Sequence, residues 1–189
     1  LGFCDVYEVA LGADIGAITE AHHYAKEVAT GNLPFLLTSC CPSWIMMTQK
    51  FFPDMQDNIS RELTPMVATA RSIKKEHPNA KGVFIGPCAS KKLEASRTNI
   101  RSDVDFVITF EELAAMFDAK EINLEAFEGE ASLHNATGAG RGYAVAGGVA
   151  GAIESCLKEY YPDISVHIEH AESLAECKKV LTLAKAGKL

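Results

Sequence analysis

The chain has 189 residues, 48% of them apolar and 23% charged, with a formal net charge of −7 at pH 7. That balance excludes a nucleic-acid binder, which would carry a basic patch, and no run approaches the ~18 apolar residues of a membrane span. No signal peptide is visible, so a reduced, cytoplasmic protein with room for a substantial core is expected, as one domain or two small lobes.

Phe3 to Val9 reads as a strand, and Ile15 to Thr30 as a helix with Ala17, Ala21, Tyr24, Ala25 and Val28 on one side, ended by Gly31-Asn32. Leu33 to Leu37 is a short apolar strand that runs into Thr38-Ser39-Cys40-Cys41-Pro42-Ser43-Trp44. Pro42 falls near the first position of a helix through Trp44 and Phe52, where its missing N–H costs nothing. A further helix spans Thr64 to His77, and Pro78-Asn79 breaks it before the strand Val83 to Ile85.

That strand leads into Gly86-Pro87-Cys88-Ala89-Ser90-Lys91-Lys92-Leu93-Glu94 at another helix start. Asp105 to Thr109 is a buried strand with its helix at Glu111 to Phe117, and 118–136 is an acidic surface loop. A glycine-rich stretch, Gly138 to Gly151, opens a helix through Ile153, Leu157 and Tyr160. Ile164 to Ile168 is a strand, and Ser173 to Ala186 the last helix. Strands alternating with helices predict an α/β fold with largely parallel sheet. The glycines miss the G-x-G-x-x-G spacing of a dinucleotide site, since Gly138-x-Gly140-x-x-Tyr143 lacks the third glycine. Close backbone approach or tight helix packing accounts for them better.

Two strand ends therefore each deliver a cysteine beside a proline, and ligands of open α/β sheets sit outside such ends. A cysteine at a helix N-terminus is biased toward thiolate. Neighbouring residues leaving a strand point to different sides, so one sulfur of the Cys40-Cys41 pair can bind a metal while the other lines a channel. Lys91 and Lys92 add the positive charge that an anionic cluster favours. Three disulfides from the six cysteines are disfavoured in a domain of this size with no mark of secretion. Cys156 and Cys177 lie on apolar helical stripes and read as core, while Cys4 has no assigned role.

The Cys40-Cys41 and Cys88 motifs resemble the active-site domain of the [FeFe]-hydrogenases, with Gly2-Phe3, Ala13-Asp14, Asp103 to Asp105, Thr109 to Leu113, Thr137 to Gly140 and Gly147 to Val149 in the family's order. The resemblance covers nearly the whole chain. It implies two lobes of mostly parallel sheet flanked by helices, approximately 1–38 with 139–189 and 39–138, and a cluster crevice between them. The family's third motif, with two more cysteines, is absent, and the chain starts at Leu1, so residues 1–189 are expected to be part of a longer protein.

On that resemblance Cys41 and Cys88 each bind an iron of a [4Fe–4S] cluster attached to a di-iron unit, and Cys40 is a proton-carrying thiol facing the di-iron site without binding it. Its pKa, near about 8.5, is closer to neutral than that of a hydroxyl. Glu20 and Ser60 match relay positions, Lys91 the donor to a di-iron cyanide with Glu94 placed to hold it, and Tyr143 an aromatic wall; Gly86 and Pro87 line the cofactor. Where the family usually has methionine stands Gly86, so that wall should be open. His23 and Glu27 replace the outer relay groups, and Met66 a glutamine.

The implied function is interconversion of protons and electrons with dihydrogen. A sensory member that detects dihydrogen is the alternative, favoured by Gly86 and His23. An iron–sulfur assembly relative ranks lower because those tend to lose the double cysteine. The expected partners are the rest of the same chain and an electron carrier such as ferredoxin. Residues 1–189 alone are expected to lack the assembled cofactor and to be inactive.

Overall fold

A computed structural model describes residues 1–129 and 135–189. The end of the expected 118–136 loop lies outside the described residues. The first helix, α1 (Ala10–His23), continues into a π-helical turn, Tyr24–Val28. It starts earlier than the expected Ile15 because its N-terminal turns are held by packing. A Cβ on Gly12 would lie 2.3 Å from the carbonyl oxygen of Pro65, so only glycine lets α1 rest on the start of α3 (Pro65–Glu76). Thr64 caps α3 by accepting from the Val67 N–H, and Pro65 follows at a position where no N–H is missed.

Helix α2 (Pro42–Phe51) leads into a 3₁₀ turn, Pro53–Asn58. Strands β1 (Val83–Ile85) and β2 (Phe106–Ile108) pair in parallel, Val83 opposite Phe106, with α4 (Ser90–Ala95) between them. Helix α5 (Phe110–Ala119) follows β2 and opens on a reciprocal Thr109–Glu112 capping box. The class is thus α/β, helices around a small parallel sheet.

Three expected strands are shorter or unpaired. Leu33 to Leu37 contributes one bridge, Leu37 to Ile59, because Pro34 supplies no N–H for a longer ladder. Phe3 to Val9 and Ile164 to Ile168 form no ladder, since among the described residues no strand runs beside them.

The glycine-rich stretch forms the short α6 (Gly138–Gly142) and then α7 (Gly148–Tyr160), followed by α8 (Leu174–Lys185). Asp14 of α1 accepts from both the backbone N–H (2.7 Å) and the hydroxyl (2.6 Å) of Thr137, which caps α6. A Cβ on Gly140 would meet the Ala10 carbonyl oxygen at 2.5 Å, so here the glycine serves close helix packing.

One apolar cluster joins Ala13, Ala17 and Ala21 of α1 to Tyr143, Ile153 and Leu157. A second joins Met66 and Val67 to Ile100 and Val104 beneath the sheet, and a third joins Met47 and Met55 to Leu181. No helix among the described residues is long and apolar enough to cross a membrane.

Candidate functional site

The Leu37–Ile59 bridge fixes the chain just before the cysteine pair: Leu37 N–H donates to the Asn58 carbonyl, and Ser60 N–H to the Leu37 carbonyl, both at 2.8 Å. Ser39 is buried, its N–H donating to Glu20 Oε1 (3.2 Å) and its hydroxyl to the Glu62 carbonyl (3.0 Å). Cys41 then takes the extended N-cap position of α2, with no side-chain cap bond occupying its sulfur.

Cys41 and Cys88 are both exposed, and all six cysteines are unbridged. The first turns of α2 and α4 are joined by a Ser43–Ser90 hydroxyl hydrogen bond of 2.5 Å, so the two thiols lie on neighbouring helix starts. Lys91, largely buried, donates to the Cys40 carbonyl (2.9 Å) and to Glu94 Oε2 (2.6 Å), the pairing expected from their spacing. Glu94 is 1% exposed, and its other oxygen accepts from the Thr64 hydroxyl at 2.6 Å. The sequence marks Thr64 only as the start of a helix; nothing in its spacing signals a contact thirty residues away.

Behind the turn, Cys40 packs against the α1–α7 cluster beside Tyr143. Burial pushes its thiol up to about 11, with the Glu20 carboxylate adding to the rise; Lys91 and Tyr143 only partly offset it. This corrects the expectation of a thiol near its ordinary value and biased toward thiolate. The half-buried side chain is packed against the α1–α7 cluster, where burial keeps it protonated. Burial likewise raises the Tyr143 hydroxyl, helped by Cys40 and Glu20. Tyr143 is therefore a core residue whose hydroxyl faces the thiol.

Glu20 is 2% exposed, and burial lifts its carboxyl to about 7 although Ser60 and Ser39 pull it down. Oε2 has no hydrogen-bond partner within strict geometry among the described residues. Ser60 is buried next to it and accepts from the Glu62 N–H at 3.2 Å. The half-buried Cys40 and the buried Glu20 and Ser60 thus form one polar group, although they are dispersed over forty positions of sequence.

The outer candidates are arranged differently. Among the described residues His23 Nδ1 is buried without a hydrogen-bond partner, and Glu27 accepts from the Asn32 side chain at 3.2 Å. Gly86 is buried but its side is not open: a Cβ there would fall 2.8 Å from the Phe84 ring, which fills the space. The open wall expected from glycine is thus closed by an aromatic two residues earlier. Pro87 is exposed beside Cys88. Cys156 and Cys177 are half-buried against apolar clusters, as their stripes implied, and Cys4 is exposed.

Cys41 and Cys88 fit as part of a donor set, since both thiols are accessible on adjoining helix starts with the Lys91 ammonium close behind. Among the described residues no group of three or more His, Cys, Asp or Glu is assembled to hold an ion.

The sequence matches the family model for the iron only hydrogenase large subunit, C-terminal domain, over residues 1–189. It is 31% identical over 176 residues to iron hydrogenase 1 of Clostridium pasteurianum, covering 85% of this chain and 30% of that protein. The cytosolic Fe-S cluster assembly factor NAR1 of Kluyveromyces lactis is 33% identical over 92 residues, 49% of this chain and 20% of that one. An apo form of the [FeFe]-hydrogenase HydA1 from Chlamydomonas reinhardtii superposes with a TM-score of 0.64 at 28% identity, over 92% of this chain and 48% of that one. The chain thus spans about a third of its curated relative and about half of the solved chain.

Proposed function

We propose a function from one established premise: the chain belongs to the iron-only hydrogenase large-subunit family, within its C-terminal domain. In this reading it is part of a catalytic domain that interconverts protons and electrons with dihydrogen, in two lobes (1–38 with 139–189, and 39–138) facing a cluster crevice. Cys41 and Cys88 hold a [4Fe–4S] cluster, with its remaining ligands and the di-iron unit supplied outside these residues. When bound, that cofactor supplies the redox chemistry and the metal centre at which dihydrogen is formed or split.

The chain's own residues do the rest. Lys91, locked between Glu94 and the Cys40 carbonyl, presents a fixed positive charge behind the cysteine turn. Its ammonium is positioned to donate to an anionic ligand in the crevice. Cys40 holds a proton at Sγ, and Glu20 and Ser60 exchange it with the interior file. Tyr143 beside Cys40 and the Phe84 ring beside Gly86 shield the two cysteine turns from water, one each.

The observation that carries this reading is the group of half-buried Cys40 with buried Glu20 and Ser60, directly behind the exposed Cys41. A scaffold that merely held a cluster would have no use for a buried carboxylate there, which costs stability. The similarity to assembly factors over about half of the chain supports a second reading, cluster binding without turnover. A dihydrogen sensor remains the catalytic reading's near neighbour. The test is dihydrogen turnover and iron content of the mature, full-length protein and its Cys40→Ser and Cys41→Ser variants. Catalysis predicts that Cys40→Ser keeps the iron and loses turnover while Cys41→Ser loses iron. An iron-loaded parent that never turns over dihydrogen would rule it out.

A further inference from the structure

The buried group behind the cysteine turn has to meet solvent somewhere, and the two directions open to it differ. Three and seven positions beyond Glu20, along α1 and its π-helical turn, stand His23 and Glu27. Among the described residues the ring nitrogen His23 Nδ1 is buried without a hydrogen-bond partner, and Glu27 is turned back onto Asn32. No hydrogen-bonded contact among the described residues links Glu20 to either.

In the other direction Ser39 and Ser60 line a cleft of about 340 Å³. That volume accommodates a file of water molecules at ~30 Å³ each. Its charged lining is Asp57, Arg61, Glu62, Arg71, Glu94 and Arg97. Two of these are engaged away from the serine: Glu94 binds Thr64 and Lys91, and Arg71 pairs with Asp103 at 2.9 Å. Glu62 is bound into the same turn as the relay. Its N–H donates to Ser60 Oγ, its carbonyl accepts from Ser39, and the residue is half-buried, its charge close enough to Glu20 to raise that group's pKa.

We propose that protons enter and leave the Glu20 relay through this cleft, by way of Ser60 and Glu62, and not along α1 through His23 and Glu27. The inference rests on the relay role given above to Cys40, Glu20 and Ser60. In each step Ser60 Oγ takes a proton from the Glu20 carboxyl as its own hydroxyl proton passes to cleft water and on to the Glu62 carboxylate; inward transfer is the reverse. Ser60 is suited to this because one of its lone pairs is already fixed by the Glu62 N–H, leaving its O–H for Glu20 or for the cleft. Glu62 holds the outer end, where its carboxylate trades protons with solvent.

The experiment uses the metal-free protein and so is independent of turnover. The carboxyl stretch of Glu20, identified by its loss in Glu20→Gln, is followed by infrared spectroscopy after mixing into D₂O. Glu62→Gln should slow its deuteration by about tenfold or more, and Glu62→Asp should restore the rate. Gln49→Trp, which fills the cleft mouth without touching the relay, should slow it as well. His23→Ala and Glu27→Gln should leave it unchanged. If His23→Ala slows exchange and Glu62→Gln does not, or if neither changes it, the cleft route is wrong. A protein that exchanges as predicted yet never turns over dihydrogen would instead defeat the catalytic reading and leave the route standing.

Discussion

The Lys91 ammonium bonds to the backbone carbonyl of Cys40, fifty-one positions earlier in sequence. The second helix start thereby holds the turn of the first, and what fixes Lys91 in turn is Glu94. Glu94 is buried with the Lys91 ammonium on one oxygen and the Thr64 hydroxyl on the other.

Breaking a buried pair by deleting one partner leaves the other charge uncompensated. Glu94→Ala should therefore destabilise the protein by about 3–5 kcal/mol. Thr64→Val, which removes one hydrogen bond and the α3 cap, should cost about 1–2 kcal/mol. Denaturant midpoints at pH 7 check both. A Glu94→Ala loss below that of Thr64→Val would mean that Lys91 finds solvent when its partner goes.

Glu20 makes stability depend on pH in a defined direction. Its carboxyl sits at about 7 in the folded protein against an ordinary 4.5. Below pH 4.5 both states are protonated. Between there and pH 7 the unfolded chain releases the proton and the folded chain keeps it, so stability falls as pH rises, by up to about 1.4 kcal/mol per pH unit. Above pH 7 the loss is complete, at about 3 kcal/mol. Urea titrations from pH 4 to 8 should show this decline in the parent relative to Glu20→Gln, which keeps an acceptor for the Ser39 N–H. Parallel curves would show that Glu20 reaches water.

Much of this site was legible in sequence because it is local. The strand, cysteine pair and proline near 36–44 and the second cysteine with Lys91 and Glu94 were read from neighbouring residues, and the helix-period pairing of Lys91 with Glu94 is present. The Glu20 and Ser60 positions came from spacing within the resembled family. What sequence could not carry were contacts made by crossing elements. The Phe84 ring beside Gly86, Thr64 on Glu94 and Glu62 behind Ser60 depend on how β1, α3 and the segment after the Leu37–Ile59 bridge stack. The strand expectations at 3–9 and 164–168 failed for a related reason: propensity marks a segment as able to extend, but a ladder needs a neighbour.

Two glycines separate packing from conformational freedom. Gly12 meets the Pro65 backbone, which cannot swing aside as a side chain would, whereas Gly138 has nothing within 4 Å of an added Cβ. Gly12→Ala should therefore cost about 1–3 kcal/mol through overpacking. Gly138→Ala, in the first turn of α6, should be neutral or stabilising by up to about 1 kcal/mol. Thermal midpoints of the two variants decide the matter. Equal effects would mean that α1 can move off α3.

The six thiols of the metal-free protein should divide by position when alkylated. Cys4, Cys41 and Cys88 are exposed, while Cys40, Cys156 and Cys177 are half-buried and raised in pKa by burial. Only the thiolate reacts, and at pH 8 a thiol at about 11 has a thiolate fraction some two orders of magnitude below that of an ordinary thiol. Iodoacetamide labelling followed by peptide mass spectrometry should therefore modify the exposed Cys41 well ahead of its neighbour Cys40. Raising the pH toward 10 should speed Cys40 nearly in proportion to hydroxide. Glu20→Gln, which removes the carboxylate that helps raise it, should speed Cys40 labelling at fixed pH and leave Cys41 unchanged. Equal labelling of Cys40 and Cys41 at pH 8 would show that the Cys40 thiol faces solvent beside Cys41 and not the Glu20 pocket, and the proposed division of roles between the two adjacent cysteines would fall with it.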